Sequence, residues 1–171
     1  MQVMQRIGAG VTLLTMLSCS LDTTSPRRDE RFAAPSLTGA AERPTPVTTA
    51  AGGTFIAAVR DTATVGGKKD SLAVIRFSLS VTNINAATAA HIHAGGASVA
   101  GPVMVFLFSG PTTSNNFSGE IANAEIRRTS AFTAPFTLDS VLARMRNGTA
   151  YVNVHTTANP GGEIRGQIQG N

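Results

Sequence analysis

Alternation of apolar and polar residues, the period-two signature of half-buried strands, recurs along most of this chain. It is clearest in "SLAVIRFSLSV" (71–81), where Ala73, Ile75, Phe77, Leu79 and Val81 share one face while Arg76, Ser78 and Ser80 lie on the other. "TFIAAVRD" (54–61) reads as a strand before it. The intervening "VGGKKD" has the glycines and charges of a hairpin turn, so the two are predicted to pair antiparallel. Upstream, "SLTGAAERPTPVTTAAGGTF" opens the domain near Ser36 with a short strand, a proline-bearing loop and a glycine turn. Downstream, strands are predicted at "AAHIHA" (89–94), at "PVMVFLF" (102–108), which is apolar on both faces and expected to be well covered, and at Phe117–Ile121, followed by irregular structure. The last two strands, "TAYVNVHT" and "GEIRGQIQ", flank the strong turn chemistry of "TANPGG". One helix is predicted over "TLDSVLARMRNG" (137–148), with a threonine or aspartate cap, a Leu138, Val141, Leu142 and Met145 stripe, and Asn147-Gly148 to end it. The expected class is mostly β: a Greek-key-like antiparallel β-sandwich with one short helix.

Composition supports that class, since 17 glycines, no tryptophan and only 14% charged residues suit strands and turns better than a helical bundle. The net charge of +4 is spread along the chain, and the doublets Arg27-Arg28, Lys68-Lys69 and Arg127-Arg128 are not interleaved with aromatics. That pattern predicts a solvated cationic surface and no nucleic-acid partner.

The first residues, "MQVMQRIGAGVTLLTMLSCS", place Arg6 before an apolar run from Val11 to Leu17 and small residues after it, the outline of a signal peptide over 1–18. The run is too short to span a bilayer, which takes about 20 residues. Cys19 is the chain's single cysteine, which excludes an internal disulfide, and it sits where such a signal is cut. Met16-Leu17-Ser18-Cys19 resembles the lipobox of bacterial lipoproteins, which implies lipidation of Cys19 and a membrane anchor at the N-terminus. Ser20 follows the cysteine, which in a double-membraned bacterium implies an outer-membrane lipoprotein; the alternative is a simply secreted protein. Residues 19–35, polar and without apolar periodicity, are expected to be a flexible tether, and residues 36–171 the folded domain.

Three stretches, "LTGAAERPTPV", "AAHIHAGGASVAGPVMVFL" and "AYVNVHTTANPGGEIRGQI", resemble the CHRD domain, named from chordin and found alone in many bacterial secreted proteins. The likeness spans Ser36 to Gly170. The opening motif departs from the family's acidic residue followed by two prolines, since this chain has Glu42-Arg43-Pro44-Thr45-Pro46. The resemblance implies a sandwich related to superoxide-dismutase-like or immunoglobulin-like folds and an extracellular setting. In chordin such domains belong to a protein that binds growth-factor ligands, which makes an extracellular protein partner one expectation here.

Candidate chemistry rests on His91, His93 and His155, the three histidines of the chain. In a strand, residues i and i+2 share a face, so His91 and His93 project together, as do Tyr151, Asn153 and His155, with Val152 and Val154 opposite. If these strands are neighbours, the three imidazoles converge and suit Zn or Cu, with Glu163 as a ligand or outer carboxylate. The pattern is similar to the copper ligands of Cu,Zn superoxide dismutase, a His-x-His pair and a later strand histidine. The bridging histidine and the zinc ligands are missing, so dismutase activity is not expected. The alternative is that the histidines bond to backbone carbonyls, Asn153 or Glu163 and pin loops. Glu163, Arg165, Gln167 and Gln169 alternate with Ile164, Gly166 and Ile168 as on a half-exposed final strand, whose Glu163 and Arg165 are expected to pair with neighbours across the sheet; the alternative is that Arg165 bonds Glu163 or an acidic loop residue and fixes the turn beside the histidines. "GGASVAG" and "NPGG" read as turns, not phosphate cradles, because neither opens a helix, and no nucleophile elbow is present. The preferred expectation is a non-catalytic, extracytoplasmic binding or structural module without a cofactor; the alternative is a three-histidine Zn or Cu protein.

Overall fold

The computed structural model describes residues 29–60 and 72–171. The expected signal peptide, Cys19, most of the tether and the 65–70 turn lie outside these residues. Strand β1 spans Glu30–Thr38, β2 Gly52–Arg60, β3 Val74–Ile84, β4 Ala87–Ala94, β5 Val103–Ser109, β6 Phe117–Ile126, β7 Ala150–Thr156, β8 Ile164–Gln167 and β9 Gln169–Gly170. Helix α1 spans Leu138–Arg146. Hydrogen bonding runs through one antiparallel path, β5-β4-β7-β8-β1-β2-β3-β6, with β9 beside β1. The sheet curls nearly into a barrel, bringing β5 and β6 towards each other. The mostly β, one-helix reading is borne out. Pairing is continuous where two sheets were expected, because β8 joins β7 through residues 164–167 and touches β1 at Thr38.

The period-two pattern does what it predicts in β3, where Ile75, Phe77, Leu79 and Val81 are all buried. β2 and β3 pair antiparallel from Gly52↔Thr82 to Arg60↔Val74. Facing them across the barrel interior are Ile92 of β4, Met104 of β5 and Val152 and Val154 of β7. Helix α1 buries the stripe Leu138, Val141, Leu142 and Met145 against this core. Its N-terminus is closed reciprocally: the Ser140 amide donates to Thr137 Oγ1 at 3.4 Å, and the Thr137 amide to Ser140 Oγ at 2.8 Å.

Three elements differ from expectation. Strand β1 starts at Glu30, inside the stretch read as tether: Phe32 and Ala34 are buried, and Arg146 holds the Glu30 carboxylate with bonds of 2.7 and 2.8 Å. Those two apolar side chains are too few to reveal a strand in a polar segment. Strand β6 runs on through the stretch read as irregular to Ile126; its small and polar residues hide the alternation, and the ladder to β3 down to Ile75↔Ile126 supplies the order. In β5, Met104, Val105 and Leu107 are buried as predicted, but Phe106 is 55% exposed. Phe106 lies on the outer face of the sheet, against the His91 ring and away from the core.

Leu79, completely buried at the centre of β3, tests this core. Leu79→Ala is expected to cost about 2–5 kcal/mol, the usual range for a buried leucine, read as a lower midpoint in denaturant unfolding.

Candidate functional site

The pleat of β4, β7 and β8 gives each strand a core face and an outer face. Val152, Val154 and Ile92 point inward and are completely buried. The outer face carries His91 and His93 from β4, Tyr151, Asn153 and His155 from β7, and Arg165 and Gln167 from β8, with Glu163 just before it. The ladder aligns them, with His91 opposite Asn153, His93 opposite Tyr151, and Asn153 opposite Arg165. An outer sheet face of such polarity would ordinarily be wet. Here His91, His93, Tyr151, Asn153, Glu163 and Arg165 are all buried. The alternation in the last strand therefore did not mean half-exposure.

Three loops cover the layer, and the polar side chains hold them. The segment 95–101 lies over His93: Gln167 Nε2 donates to Gly95 O at 3.0 Å, Arg165 Nη2 to Gly96 O at 2.7 Å, and the Gly101 amide to Tyr151 Oη at 3.0 Å. Only glycine fits at 101, because a Cβ there would lie 1.5 Å from the Ala94 carbonyl oxygen. The segment after the short 3-10 turn Gly39–Ala41 supplies Glu42 and Thr49. The 157–162 turn supplies Asn159 and Pro160. Its Gly162 has a φ of +130°, and a Cβ there would crowd Asn153 and Glu42 to within 2.8 Å.

β4 and β7 are neighbours, so the three histidines converge. Each offers a ring nitrogen, and these atoms lie within 4.8 Å of one another. His91 Nδ1 is 3.0 Å from His155 Nε2. His93 Nδ1 is 2.9 Å from Gly101 O, and His155 Nδ1 is 2.9 Å from Pro160 O. A carbonyl can only accept, so both Nδ1 atoms carry the proton and both Nε2 atoms present lone pairs. Among the described residues, His91 Nε2 and His93 Nε2 are buried without a hydrogen-bond partner. Burial holds all three imidazoles below their ordinary range, His91 to about 4, with the neighbouring imidazoles adding to the effect there. The site is therefore neutral at physiological pH, the state in which imidazole binds metal.

Glu163 does not join the histidines. Its carboxylate accepts bonds from Thr49 Oγ1 (2.7 Å), Thr156 Oγ1 (2.7 Å) and Asn159 Nδ2 (3.1 Å). These bonds outweigh burial and hold its pKa below the ordinary value. It thus fixes the turn whose Pro160 carbonyl orients His155, one step further out than a second-layer carboxylate would act. Nor does Arg165 bond to Glu163. Its guanidinium lies 3.5 Å over the Tyr151 ring centroid, and its charge partner is Glu42. Tyr151 in turn stacks on His93 at 4.9 Å and 14°, while Phe106 meets His91 edge-on at 4.4 Å.

Glu42 is the functional candidate that pattern reading passed over. It lies in a loop more than a hundred residues from Asn153, whose Nδ2 donates to its two oxygens at 3.0 and 2.9 Å. The one available signal was its place in "AERPTP", the acidic position of the opening motif. Burial pushes its carboxyl up to about 7, against the opposing pull of Asn153 and Arg165.

That shift has a testable sign. A carboxyl that ionises near 7 when folded and near 4.5 when unfolded adds stability below 4.5, and that contribution is lost as pH rises through 7. Glu42→Gln keeps a neutral group in place, and its amide can donate to Asn153 Oδ1, which lacks a partner among the described residues. It is expected to be more stable than the parent by about 1–2 kcal/mol at pH 8 and equal to it near pH 4 in denaturant titrations. Equal stabilities at both pH values would refute the shifted carboxyl.

Comparison with curated proteins and with solved structures returns no match. No helix among the described residues is long and apolar enough to cross a membrane. The family model for the CHRD domain matches residues 33–168, taking in most of β1, all of β2 through β8 and every residue of the polar layer. The chain belongs to the CHRD domain family.

Proposed function

We propose that this protein is an extracytoplasmic CHRD module that binds a zinc or copper ion through His91, His93 and His155. The observation that carries this reading is the convergence of three neutral imidazoles, two of them buried with Nε2 lone pairs that no described group satisfies. Burying an unsatisfied polar atom costs about 1–3 kcal/mol, and a metal ion would offset that cost. Donor nitrogens around an ion at 2.0–2.1 Å sit roughly 3.3 Å apart, so small ring rotations bring this set to binding distance. The Nδ1 bonds to Gly101 and Pro160 are the outer contacts that orient metal-binding histidines. They also support a purely structural role, as pins for two loops. Pinning accounts for the Nδ1 atoms of His93 and His155 but leaves Nε2 of His91 and of His93 without a partner among the described residues. Three protein ligands leave a fourth position open, for water or a small ligand.

The setting follows from the N-terminal pattern: export by residues 1–18 and lipid attachment at Cys19, with a secreted form as the alternative. A protein partner is a second reading, supported by the exposed Phe106 and Val99 beside the site.

Purified protein incubated with zinc and then copper is expected to hold one ion per chain by elemental analysis, and the variant His91→Ala/His93→Ala/His155→Ala none. Absence of uptake by the parent would return the histidines to a structural role. Bound metal should persist at pH 6, below the ordinary imidazole value of about 6.5, because these rings resist protonation. Cys19→Ala should move the protein from the membrane fraction to the soluble fraction, as tracked by fractionation and acyl labelling.

A further inference from the structure

Arg165 is a buried cation that faces away from the apolar core. It is 2% exposed, on the outer face of β8; its guanidinium lies 3.5 Å from the Tyr151 ring centroid, and His93, from the strand on the other side of β7, stacks on the same ring at 4.9 Å. The column is fixed at several points. Arg165 Nη2 bonds to Gly96 O, Tyr151 Oη accepts from the Gly101 amide, and His93 Nδ1 donates to Gly101 O. The same 95–101 segment therefore clamps all three layers.

Resting on the metal-binding reading above, we infer that the Arg165–Tyr151–His93 column makes this a copper site that favours Cu⁺ over Cu²⁺, with Arg165 as the positioning and tuning residue. Three neutral imidazoles bring no negative charge to the ion, and the Glu163 carboxylate is spent on Thr49, Thr156 and Asn159. A fixed positive charge behind one ligand repels a dication more than a monocation by one unit of charge. At roughly 10 Å and an effective dielectric constant near 20, that difference changes the ratio of affinities about tenfold. Three donors also suffice for Cu⁺, whereas a zinc ion needs a fourth ligand. Glu42 is the counter-charge, held by Asn153 and facing both Arg165 and Arg43. Its carboxyl ionises only near 7, so it offsets Arg165 in part at neutral pH and fully above it. The couple is a one-electron change, Cu²⁺ to Cu⁺, with the electron supplied by an electrode or a donor such as ascorbate.

The test uses the full chain loaded in turn with Cu²⁺, Cu⁺ and Zn²⁺, with affinities from chelator competition and the Cu²⁺ form followed by electron paramagnetic resonance. Arg165→Gln should lower the Cu⁺-to-Cu²⁺ affinity ratio about tenfold, equivalent to a drop of about 59 mV in midpoint potential for one electron. Tyr151→Phe, which keeps the ring, should leave the ratio near the parent's. Glu42→Gln, measured at pH 8, should raise it, an opposite change that tests the same electrostatics if Arg165→Gln does not fold. A ratio that none of these folded, copper-loaded variants shifts would overturn the inference and leave metal binding intact, as would one-to-one zinc binding without a copper preference. Failure to take up any metal would overturn both this inference and the metal-binding reading.

Discussion

The constraint on which the rest of this structure depends is the need to satisfy a polar sheet face that is buried. β4, β7 and β8 turn histidine, asparagine, arginine and glutamine side chains away from the core, and the loops close over them. Every donor and acceptor taken out of water there needs a partner, because an unpaired one costs as much as a lost hydrogen bond. The loops supply those partners with their own backbone: the carbonyls of Gly95, Gly96, Gly101 and Pro160 each receive a bond from the sheet. Loop conformation and side-chain orientation are therefore one problem, solved together.

This explains why glycine and proline concentrate beside the histidines. At Gly101 the backbone passes so close to Ala94 that no side chain fits, and at Gly162 the chain takes a left-handed turn against Asn153. Those close approaches let main-chain atoms reach the rings and the guanidinium. The groups left over among the described residues, the Nε2 atoms of His91 and His93, Oδ1 of Asn153 and Oε1 of Gln167, are where the accounting fails to close, and all four belong to the outer face of the sheet.

Much of the fold was legible because one side of each strand faces a dry core. The alternation in β3 and the stripe of α1 each report a buried face directly, and the structure buries the named residues. The shared face of His91 and His93, and that of Tyr151, Asn153 and His155, followed from the pleat alone; their meeting needed the β4–β7 pairing, which pattern does not encode. What failed to show was set by tertiary contact. β6 is held by its ladder to β3 and not by its own composition, and the start of β1 rests on an ion pair with a helix far along the chain. The burial of Arg165 and the role of Glu42 were hidden for the same reason. Charged residues on an alternating strand look like a wet face, and only the covering loops make them otherwise.

The separation of the two sheet faces also bears on how this domain can change. Val152 and Val154 fill the barrel while Asn153 and His155, between and beside them in sequence, face the loops. Replacing a residue on the loop side opens no void in the core, and altering the core moves no ring on the other side by more than the backbone allows. The barrel is in that sense a neutral frame, free to keep its hydrophobic packing while the side chains on its outer wall and the loops that satisfy them change together.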